Sequence, residues 1–173
     1  IGILSSHDQA DGVYLQGSNV IMNYNKVNVT TTAGAGTAIQ LINEDGIIAN
    51  NLFANLGGQA LYAESNNNVE FYYNTIVSNS NDPAAYFLNS TNTFKRNLVV
   101  NYGQGSSASI VNSTIISQEN TIFTRGTSNA QDLTNWMNAT GDNTTSNVSI
   151  ELNDDGTYKL TKFANEILFY TPL

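Results

Sequence analysis

The sequence predicts an all-β fold, a parallel β-solenoid of about five rungs of 23 residues, followed by a C-terminal capping region. Three observations carry this. Asn51, Asn74, Asn97 and Asn120 recur at intervals of 23, and Asn25 precedes them by 26, so one rung has a longer loop. Eight residues ahead of the last four stand Asn43, Asn66, Asn89 and Asn112, with Gly17 in the same column of the first rung. The apolar residues keep the same phase. Val27, Phe53, Ile76, Val99 and Ile122 form one column, and Met22, Ile48, Phe71 and Phe94 form another, broken by Ser117.

Each rung divides into three short strands. The first carries the pairs Val13/Leu15, Ile39/Leu41, Leu61/Ala63, Ala85/Phe87 and Ala108/Ile110, and spacing by two is strand periodicity. The second carries the Met22 column and the third the Val27 column. One rung cannot bury its apolar face alone, so stability comes from stacking on neighbours. The Asn columns mark the corners. Asn tolerates the left-handed backbone that a sharp bend needs. Its amide can also bond from rung to rung across a spacing of about 4.8 Å.

The ends differ from the repeat. "IGIL" falls on the third strand of an earlier rung. With no Met at residue 1, this suggests a processed product or a piece of a longer protein with further rungs before Ile1. The rungs are expected over 1–124 and the cap over 125–173. In the cap, "SNAQDLTNWM" (128–137) reads as a short helix with Ser128 or Asn129 as N-cap. "SIELNDDGTYKL" (149–160) reads as a hairpin around Asp155-Gly156. Trp136, Phe163, Ile167 and Phe169 are the residues expected to cover the last rung.

The bulk numbers exclude several functions. With 14 acidic and 6 basic residues the formal charge is −8. Such a field repels phosphate backbones, and no basic stripe opposes it, so nucleic acid is not an expected partner. There is no cysteine, so disulfides and thiolate metal sites are impossible. Apolar runs are too short for membrane insertion. Abundant Asn, Ser, Thr and Gly with scarce Lys suit a secreted or cell-surface solenoid.

The repeat resembles the right-handed parallel β-helix of the pectate-lyase-like superfamily, on "GVYLQGSNVIMNYNKV", "AIQLINEDGIIANNLF", "NNNVEFYYNTIVSN", "NSTNTFKRNLVVN" and "NSTIISQENTIFT". The resemblance covers roughly residues 1–124 and implies a right-handed coil. It also implies that any site lies on the outer face of one parallel sheet. In the first strand the outward column reads Tyr14, Gln40, Tyr62, Tyr86 and Ser109, beside Gln16, Ile42, Glu64, Leu88 and Val111, with a one-residue slip in the third rung. Sugar C–H faces pack on aromatic rings while hydroxyls bond Gln, Glu and Tyr. The glycan-binding residues expected are therefore Tyr14, Gln16, Gln40, Tyr62, Glu64 and Tyr86, with a polysaccharide or surface glycan as partner. The competing reading is that these tyrosines only stack and cover apolar neighbours.

Members of this superfamily include lyases, epimerases and hydrolases as well as non-catalytic surface proteins. Elimination on uronic acids would need a basic side chain, often with Ca²⁺ held by acidic ligands, and this outward column has no Lys, Arg or His. Lys95 and Arg96 fall on the second strand near Glu70 and Tyr72, as a surface ion pair. Hydrolysis needs two carboxylates about 5–9.5 Å apart. The catalytic candidates are Asp11, Glu64 and His7, the last in "SSHDQADG", where a polar loop is the simpler reading. No cofactor and no metal site is expected. "NDDG" (153–156) lacks the spaced ligands of a calcium loop. The function expected is a glycan-binding or adhesin-like module of a secreted or cell-surface protein, with a polysaccharide-active enzyme as the alternative. Six N-x-S/T sequons occur, at Asn28, Asn89, Asn112, Asn138, Asn143 and Asn147. Glycans at Asn89 and Asn112 would obstruct a ladder.

Overall fold

A computed structural model describes residues 2–5, 11–17, 19–31, 36–125, 129–147, 150–152 and 158–160. It is a parallel β-solenoid with three sheets. The first sheet stacks Val13–Gln16, Ile39–Ile42, Leu61–Glu64, Ala85–Leu88 and Ala108–Val111. The second stacks Val20–Asn23, Gly46–Ala49, Asn67–Tyr72, Thr91–Lys95 and Thr114–Gln118. The third stacks Gly2–Ser5, Lys26–Thr31, Leu52–Asn55, Thr75–Ser78, Leu98–Asn101, Thr121–Thr124 and the short Ser146–Asn147. "GILS" therefore does lie on the third face, paired with the strand that begins at Lys26.

The interior is built as the periodicity requires. Leu41, Leu61, Phe87, Ile48, Phe71, Phe94, Phe53, Ile76, Val99 and Ile122 are fully buried in one continuous core. Phe71, Phe87 and Phe94 pack ring on ring, with Phe87 and Phe94 edge to face at 5.4 Å. The outer face of the third sheet is also apolar and shielded, through Ala54, Val77, Leu98 and Val100.

The two Asn columns have different jobs. The series Asn51, Asn74, Asn97, Asn120 is a buried ladder. Each Oδ1 accepts the backbone N–H of the Asn one coil earlier, at 2.8–3.0 Å from Asn25 through Asn97. Each Nδ2 donates to a second-sheet carbonyl one coil earlier, namely Met22, Ile48, Phe71 and Phe94. The left-handed residue at this corner is not the Asn but its predecessor: Tyr24, Asn50, Tyr73, Arg96 and Glu119, with φ between 52° and 57°.

At the other corner the left-handed column is Asn43, Ser65, Asn89 and Asn112, all exposed. Asn66 stands one place later, because the third rung slips by one residue. It belongs to a second ladder of mixed composition. Glu44 N–H donates to Asn66 Oδ1, Asn66 N–H to Ser90 Oγ, and Ser90 N–H to Ser113 Oγ. The expectation that Asn89 and Asn112 are ladder members is thus corrected. Their side chains face solvent, and glycans there would not break the stacking. A third polar column, Asn55, Ser78, Asn101 and Thr124, ties down the loops that lead to the next coil through bonds to Gly36, Gly58, Asp82 and Gly105 carbonyls.

The helix Asn129–Thr140 closes the last coil. Trp136, 4% exposed, sits 5.6 Å from Phe94 ring to ring. This explains why Ser117 interrupts the apolar column. Ser117 is in register with Phe94, and the space that a larger residue would fill is taken by the indole. Ser117 Oγ accepts Trp136 Nε1–H at 3.0 Å and donates to Asp142 Oδ2 at 2.6 Å. Burial alone would raise the Asp142 pKa, but donors from Ser117, Thr144 and Thr145 outweigh it and hold it below the ordinary value. The 149–160 hairpin is present as Ile150–Leu152 paired antiparallel with Tyr158–Leu160. Its turn, including "NDDG", and Phe163, Ile167 and Phe169 lie outside the described residues.

Candidate functional site

The outward column of the first sheet forms as its spacing requires. Strand register places Tyr14 beside Gln40, Gln40 beside Tyr62, Tyr62 beside Tyr86, and Tyr86 beside Ser109. Gln16, Ile42, Glu64, Leu88 and Val111 run parallel to it. All six residues expected to bind glycan therefore share one face. Tyr14 is half exposed, Gln16 is exposed, and Gln40, Tyr62, Glu64 and Tyr86 are half-buried.

The rings do not lie flat on the sheet as a continuous platform. Tyr62 and Tyr86 stack on each other, with centroids 5.5 Å apart and planes 11° from parallel. Between them each ring loses one face, and the pair presents edges and hydroxyls outward. The face of Tyr86 left open is the one toward the small side chain of Ser109. Within a strand, tyrosine and the next outward residue cooperate: Tyr62 OH donates to Glu64 Oε2 at 2.9 Å, and Tyr14 OH donates to Gln16 Oε1 at 3.0 Å. Burial, then the hydrogen bond to Glu64, pushes the Tyr62 phenol up to about 12. Tyr62 is thus a neutral donor at physiological pH, and Glu64 supplies acceptors beside it.

The catalytic candidates are dispersed. Asp11 Oδ1 is engaged by Thr37, from its backbone N–H at 3.0 Å and its hydroxyl at 2.5 Å, a bond that ties the first coil to the second. Glu64 is committed to Tyr62. His7 lies outside the described residues. Arg96 pairs with Glu119 of the next coil at 2.6 Å and donates to Tyr73 OH of the previous one, while Glu70 accepts from Tyr72 OH. The ion pair expected near Glu70 therefore runs along the corner column instead. Among the described residues no group of three or more His, Cys, Asp or Glu side chains is placed to hold a metal ion. Likewise, none of their helices is long and apolar enough to cross a membrane.

One feature beside this face was not expected from sequence. A cavity of about 230 Å³ lies between the last first-sheet strand and the capping helix, lined by Ser107, Ser109, Ile110, Asp132, Asn135, Trp136 and neighbouring alanines. Asp132, 4% exposed, accepts from Ser107 N–H and Ser107 Oγ–H through Oδ2. Burial raises its pKa against the effect of those two bonds. One sequence signal was "AQDLTNW", where Asp and Trp stand one helical turn apart and face the same side.

Comparison with known proteins finds no matching family model, no matching curated protein and no matching solved structure.

Proposed function

We propose that this chain is a glycan-binding, adhesin-like structural module of a secreted or cell-surface protein, built on the right-handed coil of the pectate-lyase-like superfamily. The observation that carries the reading is the in-register outward column Tyr14–Gln40–Tyr62–Tyr86–Ser109 with Gln16 and Glu64 alongside. It offers ring surface, neutral donors and carboxylate or amide acceptors at a repeat of about 4.8 Å, which suits an extended saccharide laid along the axis. The acidic balance of the chain, with Glu64 on the strip, disfavours polyuronates and favours a neutral glycan.

The test is binding of the chain to a broad glycan array, with a Tyr14/Tyr62/Tyr86→Ala triple variant beside it. Binding by the native chain and loss in the variant are expected. Equal binding by both, or none by the native chain, removes the strip as a recognition face. Turnover of a bound saccharide by a clean preparation would instead make the chain a polysaccharide-active enzyme.

A further inference from the structure

We infer that the cavity between Ala108–Val111 and the capping helix is the subsite for one terminal, uncharged sugar unit of the glycan held on the tyrosine strip. This rests on the glycan-binding reading of the strip and gives it a direction.

Continuity comes first. Ser109 is the last member of the outward column and also lines the cavity, and its neighbour in the column is Tyr86. With Tyr62 stacked on one face of Tyr86, the open face of that ring looks toward Ser109. A chain lying along the strip therefore runs onto the cavity mouth.

Chemistry comes second. Asp132 is 4% exposed, and Ser107 engages only its Oδ2. Oδ1 has no hydrogen-bond partner among the described residues, and it is not a fully buried unpaired atom, so it is an acceptor open to the cavity that Asp132 lines. Ser109 Oγ has no partner among the described residues either, and Asn135 uses Oδ1 to accept from Gln131, leaving its amide protons. One acceptor, one hydroxyl and one amide donor thus converge on a wall of Trp136, Ile110 and Ala139. That set matches a sugar ring, with a C–H face for the apolar wall and adjacent hydroxyls for the polar groups. The Trp136 ring is held in orientation by its bond to Ser117. Among the described residues the strand beside the cavity is the last of its sheet, and its outer edge pairs with no further strand. Backbone groups there add further bonding capacity.

Size and charge set the limits. A volume of about 230 Å³ corresponds to roughly eight waters' share of liquid and lies below the range of drug-sized pockets. It admits one ring and ends the chain. Asp132 rejects a uronate carboxylate in the same place.

Trp136 is the single tryptophan, so its fluorescence reports occupancy. The native chain would be titrated with glucose, galactose, mannose, galacturonate and the β-1,4-linked tetrasaccharide of each, beside Ala139→Phe, Asp132→Asn and Tyr62→Ala. Ala139 is exposed, so Ala139→Phe fills the cavity without touching the core. Its melting temperature serves as the check on folding. A saturable response to a neutral sugar is expected, with none to galacturonate. Ala139→Phe and Asp132→Asn should weaken it about tenfold or more. Tyr62→Ala should weaken only the tetrasaccharide.

If the tetrasaccharide binds and Ala139→Phe changes nothing, the subsite is refuted and the strip stands. If a monosaccharide binds but Tyr62→Ala leaves the tetrasaccharide unaffected, the cavity stands and the strip falls. If no saccharide binds the native chain, both fall.

Discussion

Replacing Asn74 with Ala removes a side chain that serves two coil interfaces at once. Asn74 Oδ1 accepts Asn51 N–H at 3.0 Å and Asn51 Nδ2 at 3.1 Å, and its Nδ2 donates to Ile48 O at 2.8 Å and Asn97 Oδ1 at 3.0 Å. The variant leaves Asn51 N–H and Ile48 C=O buried without these partners. At about 1–3 kcal/mol for each orphaned group, partly relieved by relaxation, the loss is expected to be about 2–4 kcal/mol. In a chain of 173 residues this lowers the thermal midpoint by roughly 4–16 °C. Thermal unfolding followed by far-UV circular dichroism measures it, with Asn79→Ala as the control, because Asn79 is exposed and lies outside the left-handed corners. Asn74→Asp should be at least as damaging as Ala. It keeps the size but points oxygen at the Ile48 and Asn97 oxygens. A cost below about 1 kcal/mol, no greater than that of Asn79→Ala, would refute the ladder as a stabilising device.

Three further outcomes are expected. Trp136→Ala should cost about 3–5 kcal/mol by opening a void against Phe94, and chemical denaturation would read it. Asn92 stands in register between Val69 and Ile115, 1% exposed, with neither amide atom bonded, so Asn92→Leu should raise stability by about 1–3 kcal/mol. A loss of stability would show that the amide is satisfied. Tyr62 and Tyr72, each pushed up to about 12, should ionise well above the ordinary phenol value of 10 in an ultraviolet titration, and Glu64→Gln should bring Tyr62 down. Because the folded phenol of Tyr62 holds its proton more tightly, its stabilising contribution is complete below pH 10, its ordinary value, and is lost as pH rises through about 12.

The coil was legible because inward residues recur in a column, and a column is visible to anyone who counts. The outward strip was legible for the same reason, down to the slip that brings Tyr62 and Glu64 into register. What could not be counted was which corner residue takes the left-handed backbone. At the Asn51 corner it falls on Tyr24, Asn50, Tyr73, Arg96 and Glu119, a set without common chemistry. Left-handed backbone costs an ordinary residue about 1–2 kcal/mol. The ladder bonds of the following Asn offset it, so the conformation is imposed by a neighbour and leaves no mark on the residue itself. The Asn66 column misled because Asn and Ser are interchangeable there as long as a side-chain oxygen reaches the previous coil's N–H. The cavity escaped notice because it lies where the repeat meets the helix. There the interrupted column at Ser117 was the visible trace, and Trp136 its cause.

That aromatic plug also ties the fate of the capping helix to that of the coil. Coils lend stability only to their neighbours. Trp136 packs on Phe94 of one coil and bonds through its N–H to Ser117 of the next. The helix therefore cannot lift away without unsealing both. Its amides and those of the strands that carry Phe94 and Ser117 should exchange as one cooperative unit.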